Sequence, residues 1–148
     1  MDGLCNIHDN MKKYIGTKEI NAIPMNRQEY NDFRGWKLPD DEDGTDEGYL
    51  VEYVDGGKAN TPQYAGYVSW SPKAVFERAY KSIETPLDRM YIEYNELLDK
   101  LNKLTVFLGR EDKEKIAGGF QCELMELQRA HMKGYLLVLR SRIELMKK

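Results

Sequence analysis

Cysteine and histidine are scarce in this 148-residue chain, two of each: Cys5 and Cys122, His8 and His131. None lies in a CxxC or CxxH arrangement, so the sequence specifies neither a zinc site nor a disulfide framework. No apolar run approaches the ~18 residues of a membrane-spanning helix, and the N-terminus lacks the charged-then-apolar order of a signal peptide. An excess of positive charge is missing too. The 22 Lys and Arg are outnumbered by 25 Asp and Glu, for a net charge of −3, which argues against DNA or RNA as a partner. Phosphate loops, GxSxG and paired-carboxylate motifs are absent, so no catalytic residue, metal ligand or cofactor is assigned and an enzyme is not expected. His8 falls in a stretch that reads as a dispensable leader, residues 1–10, because Met11 followed by Lys12, Lys13 and Tyr14 looks like a natural start. His131 lies among apolar helical residues and is expected to be a satisfied core histidine. The sequence reads as that of a soluble, intracellular protein.

What is present is aromatic and divided. The chain has ten Tyr, four Phe and two Trp, too many for general disorder. Residues 1–80 carry nine basic and fourteen acidic side chains, net −5; residues 81–148 carry thirteen and eleven, net +2. Periodicity changes at the same point, from short strand-like runs to long helical ones. The expected fold is α+β: a small N-terminal antiparallel sheet with short helices over 13–83, then an antiparallel two-helix hairpin over 86–148.

In the first half, Tyr14–Ile23 is strand-like and Pro24 stops it. Asn26 and Glu29 are spaced as a capping box, which predicts a short helix through about Arg34. Residues 47–54 alternate as a half-buried strand, Asp55-Gly56-Gly57 begins a turn, and 66–71 form the partner strand. Ser71 as N-cap with Pro72 at the first helical position predicts a helix over 73–81, with Ala74, Val75, Phe76, Ala79 and Tyr80 able to lie on the sheet.

In the second half, Pro86 suits a first helical turn and disfavours helix at Thr85. Leu87, Met90, Tyr94, Leu97, Leu101, Leu104 and Leu108 follow 3-4 spacing, a seam that Gly109 ends. A charged loop leads through Gly118 and Gly119 to a second helix over about 120–146. That helix is apolar on two sides, one marked by Met125, Met132, Leu139 and Met146, the other by Leu124, Leu127, Val138 and Leu145. One partner helix covers only one of them, so the chain is expected to form a homo-oligomer or to pack the surplus on the sheet domain.

Residues 39–48 hold six carboxylates. Placing Gly44 at the glycine of a calcium loop puts Pro39 and Leu50 where carboxylates are required, so the segment reads as a solvated loop. Gln128, Tyr135 and Arg142 recur every seven residues, with Arg129 and Arg140 near them. They align an amide, a phenol and guanidinium groups along an apolar face. Guanidinium forks onto phosphate and aromatic rings stack on bases, so these five, with Trp70, Phe76 and Tyr80 as further rings, are candidates for a planar anionic ligand. Packing and helix-dipole roles explain the same residues without a ligand, and residues alone leave that choice open.

A resemblance narrows it. Lys13 to Lys18, Pro24-Met25, Glu29-Tyr30, Arg34-Gly35-Trp36, Glu47 to Val51, Gly66 to Lys73 and Phe76-Glu77 together resemble a small domain common in bacteriophage and prophage proteins. Leu127-Gln128, Met132, Tyr135, Leu139 and Arg142-Ile143 resemble a phage-associated helical family. The combination of sheet and hairpin is similar to the Thoeris anti-defence sponges. That resemblance implies a cytoplasmic phage protein in an infected bacterial cell. It would bind a cyclic ADP-ribose-type signal between subunits, or a cyclic oligonucleotide of CBASS immunity, without degrading it. The acidic 40–47 insertion and the charged interhelical loop depart from the pattern. Other readings are a phage inhibitor that binds a host defence protein directly, an oligomerising structural accessory, and a cryptic nuclease or phosphodiesterase.

Overall fold

The computed structural model describes residues 10–148. It has the α+β architecture, in two compact units: one ends at Tyr80 and the other is Lys81–Lys148. Cys5, His8 and most of the expected leader lie outside the described residues.

The first unit is built on a three-stranded antiparallel sheet in the order β1 (Ile20–Pro24), β2 (Gly48–Tyr53), β3 (Tyr67–Pro72). The register pairs Ile23 with Leu50 and Leu50 with Trp70, so these side chains share one face. Helix α1 (Arg27–Arg34) packs there. Tyr30, Leu50 and Val68 form the buried cluster, flanked by Met25, Phe33, Tyr64 and Trp70. Burying each such side chain contributes about 1.5–3 kcal/mol.

The capping box is present: Asn26 Oδ1 accepts from Glu29 N–H and Glu29 Oε1 accepts from Asn26 N–H. Gly35 ends α1 in the left-handed region at φ 72°, where a side chain would be strained. Gly48 has a different role. A Cβ there would meet the Ser71 carbonyl oxygen and lie 2.5 Å from Trp70 Cζ2, so its lack of a side chain lets β3 and the indole approach β2 closely.

Several expectations need correction. The strand-like run from Tyr14 forms strand only from Ile20, because the residues before it have no pairing partner among the described residues, and Pro24 closes β1 from within it. Ser71 does not cap the next helix. Pairing of Gly48 with Pro72 carries β3 past Ser71, and Pro72 itself is the cap residue of α2 (Lys73–Ala79), with no side-chain cap. That helix ends two residues early, and Ala74, Val75 and Ala79 are exposed, leaving Phe76 and Tyr80 as its partly covered residues.

In the second unit, Thr85 caps α3 (Pro86–Leu108): its Oγ1 accepts from Asp88 N–H, and Asp88 Oδ2 accepts from Thr85 N–H. The charged interhelical segment contains a short helix, α4 (Lys113–Ala117), and α5 (Gly119–Met146) follows. Met90, early in α3, packs on Leu139 and Ile143, late in α5, as an antiparallel hairpin requires. Along α5 the covered positions are Glu126, which pairs with Arg129, and Cys122, Met125, Arg129, Met132, Leu136, Leu139 and Ile143, these seven forming a 3-4 seam answering that of α3. Of the methionine-leucine stripe, Met132 and Leu139 are buried but Met146 is exposed. His131 is exposed, not a core histidine: it projects on the far side of α5 from the seam. No helix among the described residues is long and apolar enough to cross a membrane.

Candidate functional site

Of the eight candidate ligand residues, three lie in the first unit and five in the second. Trp70 is held by its own neighbours. Its Nε1–H donates to the Met25 carbonyl at 2.7 Å, and the Arg27 guanidinium lies over the ring, 5.0 Å from the centroid. Phe76 stacks on Tyr49 with centroids 3.9 Å apart and planes 18° from parallel, and Tyr80 leans on Phe76 at 5.1 Å. The Tyr49 hydroxyl donates to Glu77 at 3.3 Å. Tyr49 and Arg27 are the residues that sequence reasoning passed over here. Tyr49 was legible only as a strand position, because the stack depends on α2 leaving β3 toward β2.

A depression of about 330 Å³ opens beside this stack, lined among others by Asn26, Glu29, Thr45, Glu47, Tyr49 and Lys73. Of its charged side chains, Lys73 and Glu47 pair with each other, while Glu29 Oε1 accepts from the Asn26 N–H. Lys73 Nζ sits 3.0 Å from Glu47, and the hydrogen bond to that carboxylate, with its charge and that of Glu77, holds the ammonium above its ordinary range.

In the second unit, α5 carries the remaining five. Gln128, Tyr135 and Arg142 lie in one row beside the seam. Arg142 and Arg140, two positions apart, turn through about 200°, so Arg140 projects on the opposite flank of the seam, to which Arg129 itself belongs. Arg129 is committed to Glu126, which Lys113 also approaches at 3.7 Å. Gln128 Nε2 makes a long contact of 3.8 Å with Met132 Sδ. Tyr135 is 49% exposed. Arg140 and Arg142 are exposed, and among the described residues neither forms an ion pair. Arg140 lines an open depression of about 460 Å³ with Leu137, Ser141, Glu144, Leu145 and Lys148. Of these linings Glu144 and Lys148 were not anticipated, since a helix-end charge carries no ligand signal on its own.

Beside the row of Gln128, Tyr135 and Arg142 runs an uncovered apolar strip: Phe120, Leu124, Leu127, Val138 and Leu145, each between 55% and 86% exposed. Among the described residues no cluster of His, Cys, Asp or Glu is arranged to hold a metal ion.

The second unit is therefore a helical hairpin whose long C-terminal helix presents the exposed Arg142 guanidinium and Tyr135 phenol beside an apolar strip, with the exposed Arg140 on the opposite flank. Residues 84–145 match the model of the Sequestin family. The match opens one residue before the Thr85 cap and closes one residue before the end of α5, so it coincides with the hairpin and omits the sheet unit. No curated protein and no solved structure matches the chain.

Proposed function

We propose that this chain sequesters a cyclic nucleotide immune signal without degrading it. The signal is of the cyclic ADP-ribose type or a cyclic oligonucleotide, and the chain acts as a phage anti-defence protein in the cytoplasm of an infected bacterium. The observation that carries the reading is the Sequestin match over the hairpin, a family name that denotes sequestration. It falls on the unit where Arg140 and Arg142 stand exposed without ion-pair partners among the described residues. A cyclic nucleotide offers phosphates for bidentate guanidinium contacts and base faces for Tyr135. Sequestration needs no general acid or base, only affinity, and affinity grows when the ligand is buried between pre-formed walls.

One helix face is not a wall on both sides. The exposed strip of Phe120, Leu124, Leu127, Val138 and Leu145 supports a homo-oligomer in which α5 of a second copy closes the site. On the sheet unit the rings of Trp70 and Phe76 are engaged by Arg27 and Tyr49, so the ligand role is assigned first to the row of Gln128, Tyr135 and Arg142 and to Arg140.

The test is a thermal-shift panel of cyclic ADP-ribose isomers, cyclic dinucleotides and cyclic trinucleotides. A ligand at a thousandfold excess over its dissociation constant stabilises the native state by about 4 kcal/mol. A large shift with one class identifies the signal. No shift across the panel sinks the proposal and leaves direct binding to a host defence protein as the better reading.

A further inference from the structure

The two edges of the sheet are treated differently. On β3, the outward-facing groups of Val68 are both occupied by the Asn60 side chain: Val68 N–H donates to Asn60 Oδ1 at 2.8 Å and Asn60 Nδ2 donates to the Val68 carbonyl at 2.9 Å. Pro72, four positions on and also outward-facing, has no N–H to offer. At both ends of its outward-facing set that edge is blunted against another strand.

The β1 edge is open. Met25 N–H donates to the Gly48 carbonyl at 2.9 Å, so by the alternation of an antiparallel ladder Ile23 and Asn21 also bond to β2. Ile20 and Ala22 then turn their backbone groups outward. Ile23, on the same strand, is 49% exposed. The residues leading into β1 have strand-like composition and no strand partner among the described residues. Tyr14 is 90% and Ile15 91% exposed, and Lys12, Lys13 and Lys18 make the segment basic.

The acidic loop lies at the other end of β1. Arg27 N–H donates to the Asp46 carbonyl and Gln28 N–H to the Gly44 carbonyl, which ties residues 44–46 to the chain just after Pro24. Of its six carboxylates, Glu42 pairs with Arg27 and Glu47 with Lys73. Asp43 accepts from Thr45, and Asp40, Asp41, Asp43 and Asp46 have no cation partner among the described residues. Within one copy, the basic segment and the acidic loop thus sit at opposite ends of the same strand.

We propose that two copies of this chain join edge to edge through β1, each using residues 14–19 as the strand that covers the other's Ile20–Pro24. Antiparallel pairing about a two-fold centred on Glu19 sets Ile15 of one copy opposite Ile23 of the second. Tyr14 then faces Pro24, Lys18 faces Ile20, and Glu19 meets Glu19 of the second copy at the axis, a like-charge contact that the flanking pairs outweigh. Parity is consistent: Lys18 already lies over the Tyr53 ring, 4.3 Å from its centroid, on the face that Ile20 and Ala22 share. Ile15 falls on the other face, with Ile23. The same register brings Lys12 and Lys13 beside the second copy's loop at residues 44–46, basic against acidic. Two exposed isoleucines are covered, and the open amides of Ile20 and Ala22 gain acceptors. The proposal is independent of the ligand and of contacts made by α5.

Cross-linking of the full chain tests it, in a Cys5→Ser background with Cys122 left buried. Opposed residues at a non-hydrogen-bonded antiparallel position have closely spaced side chains that suit a disulfide. Mild oxidation of an equal mixture of Ile15→Cys and Ile23→Cys chains should give a covalent heterodimer. A mixture of Ile15→Cys and Ala22→Cys, whose thiols face opposite sides of the sheet, should give none above background. Equal yields from both mixtures, or no heterodimer from the first, overturns the pairing. The unmodified chain supplies a second readout: amide exchange at Ile20 and Ala22 should slow several-fold as protein concentration rises, and concentration-independent exchange there overturns it as well.

Discussion

The indole N–H of Trp70 donates to the backbone carbonyl of Met25 across 2.7 Å, tying β3 to the junction between β1 and α1. That bond explains a tryptophan whose ring is also covered by Arg27 and whose close approach to β2 requires a glycine at position 48. The ring is a strut of the sheet unit.

Trp70→Phe keeps an aromatic ring but removes the donor, leaving the Met25 carbonyl without its partner. An unsatisfied buried acceptor costs about 1–3 kcal/mol. Thermal denaturation should show the sheet unit melting earlier while the helical signal of the hairpin melts unchanged. An unaltered sheet transition would show that the indole N–H is dispensable.

At the start of the hairpin, Thr85→Ala removes the acceptor for Asp88 N–H and should destabilise α3 by about 0.5–2 kcal/mol. Because the two halves of the box act together, Thr85→Ala with Asp88→Ala should cost less than the sum of the single changes. Circular dichroism at increasing urea checks both statements, and strict additivity would indicate two independent contacts.

Glu52 gives the sheet unit a pH dependence. Hydrogen bonds from Gly66 N–H, first, and from the Asn21 side chain hold its carboxyl below the ordinary value of 4.5. A carboxyl lowered in the folded state contributes stability that is fully present above its unfolded value and is lost as pH falls through the folded value. The sheet unit should therefore lose stability below about pH 4.5. Glu52→Gln should flatten that part of the profile while leaving the rest in place. A profile unchanged by the substitution would assign the acid sensitivity to another group, of which Asp43, lowered by its bonds to Thr45, is the nearest in kind.

Much of this architecture is legible because its signals are local. Asn26 with Glu29 is a cap read from spacing alone, Pro86 marks the start of α3 although the Thr85–Asp88 box there went unread, and the 3-4 seam from Leu87 to Leu108 announces α3 without reference to the rest of the chain. Other features depend on what lies across the fold. Nothing near Asn60 indicates that its amide closes an edge eight residues on, and Tyr49 gives no sign that Phe76 will stack on it. The 3-4 row of Cys122, Met125, Arg129, Met132, Leu136, Leu139 and Ile143 was obscured because α5 is apolar on a second side as well. Choosing the seam required α3 to be in place, and with the seam settled His131 falls outside it. The candidate site divides in the same way. The row of Gln128, Tyr135 and Arg142 follows from helical spacing, whereas the commitment of Arg129 to Glu126 and of Trp70 to Met25 appears only in three dimensions.

Arg142→Ala removes an exposed guanidinium that has no ion-pair partner among the described residues, so the fold should persist. Hydrogen bonds to charged groups contribute about 1.5–3 kcal/mol, and loss of one phosphate contact should weaken cyclic nucleotide binding by roughly tenfold or more. Arg140→Ala, on the opposite flank of α5, separates the two surfaces: a loss confined to Arg142→Ala assigns the phosphate to the row with Tyr135. Equal affinity in both well-folded variants, measured by isothermal titration, would remove both arginines from the site.

The most direct measurement of the central claim is recovery of ligand. The protein is saturated with the cyclic nucleotide that gives the largest thermal shift, held for hours, separated from free ligand, and heat-denatured; the released nucleotide is then identified by mass spectrometry. Sequestration predicts the intact cyclic nucleotide in stoichiometric amount. A linearised or hydrolysed product would make the chain an enzyme, and no retained nucleotide would contradict the account.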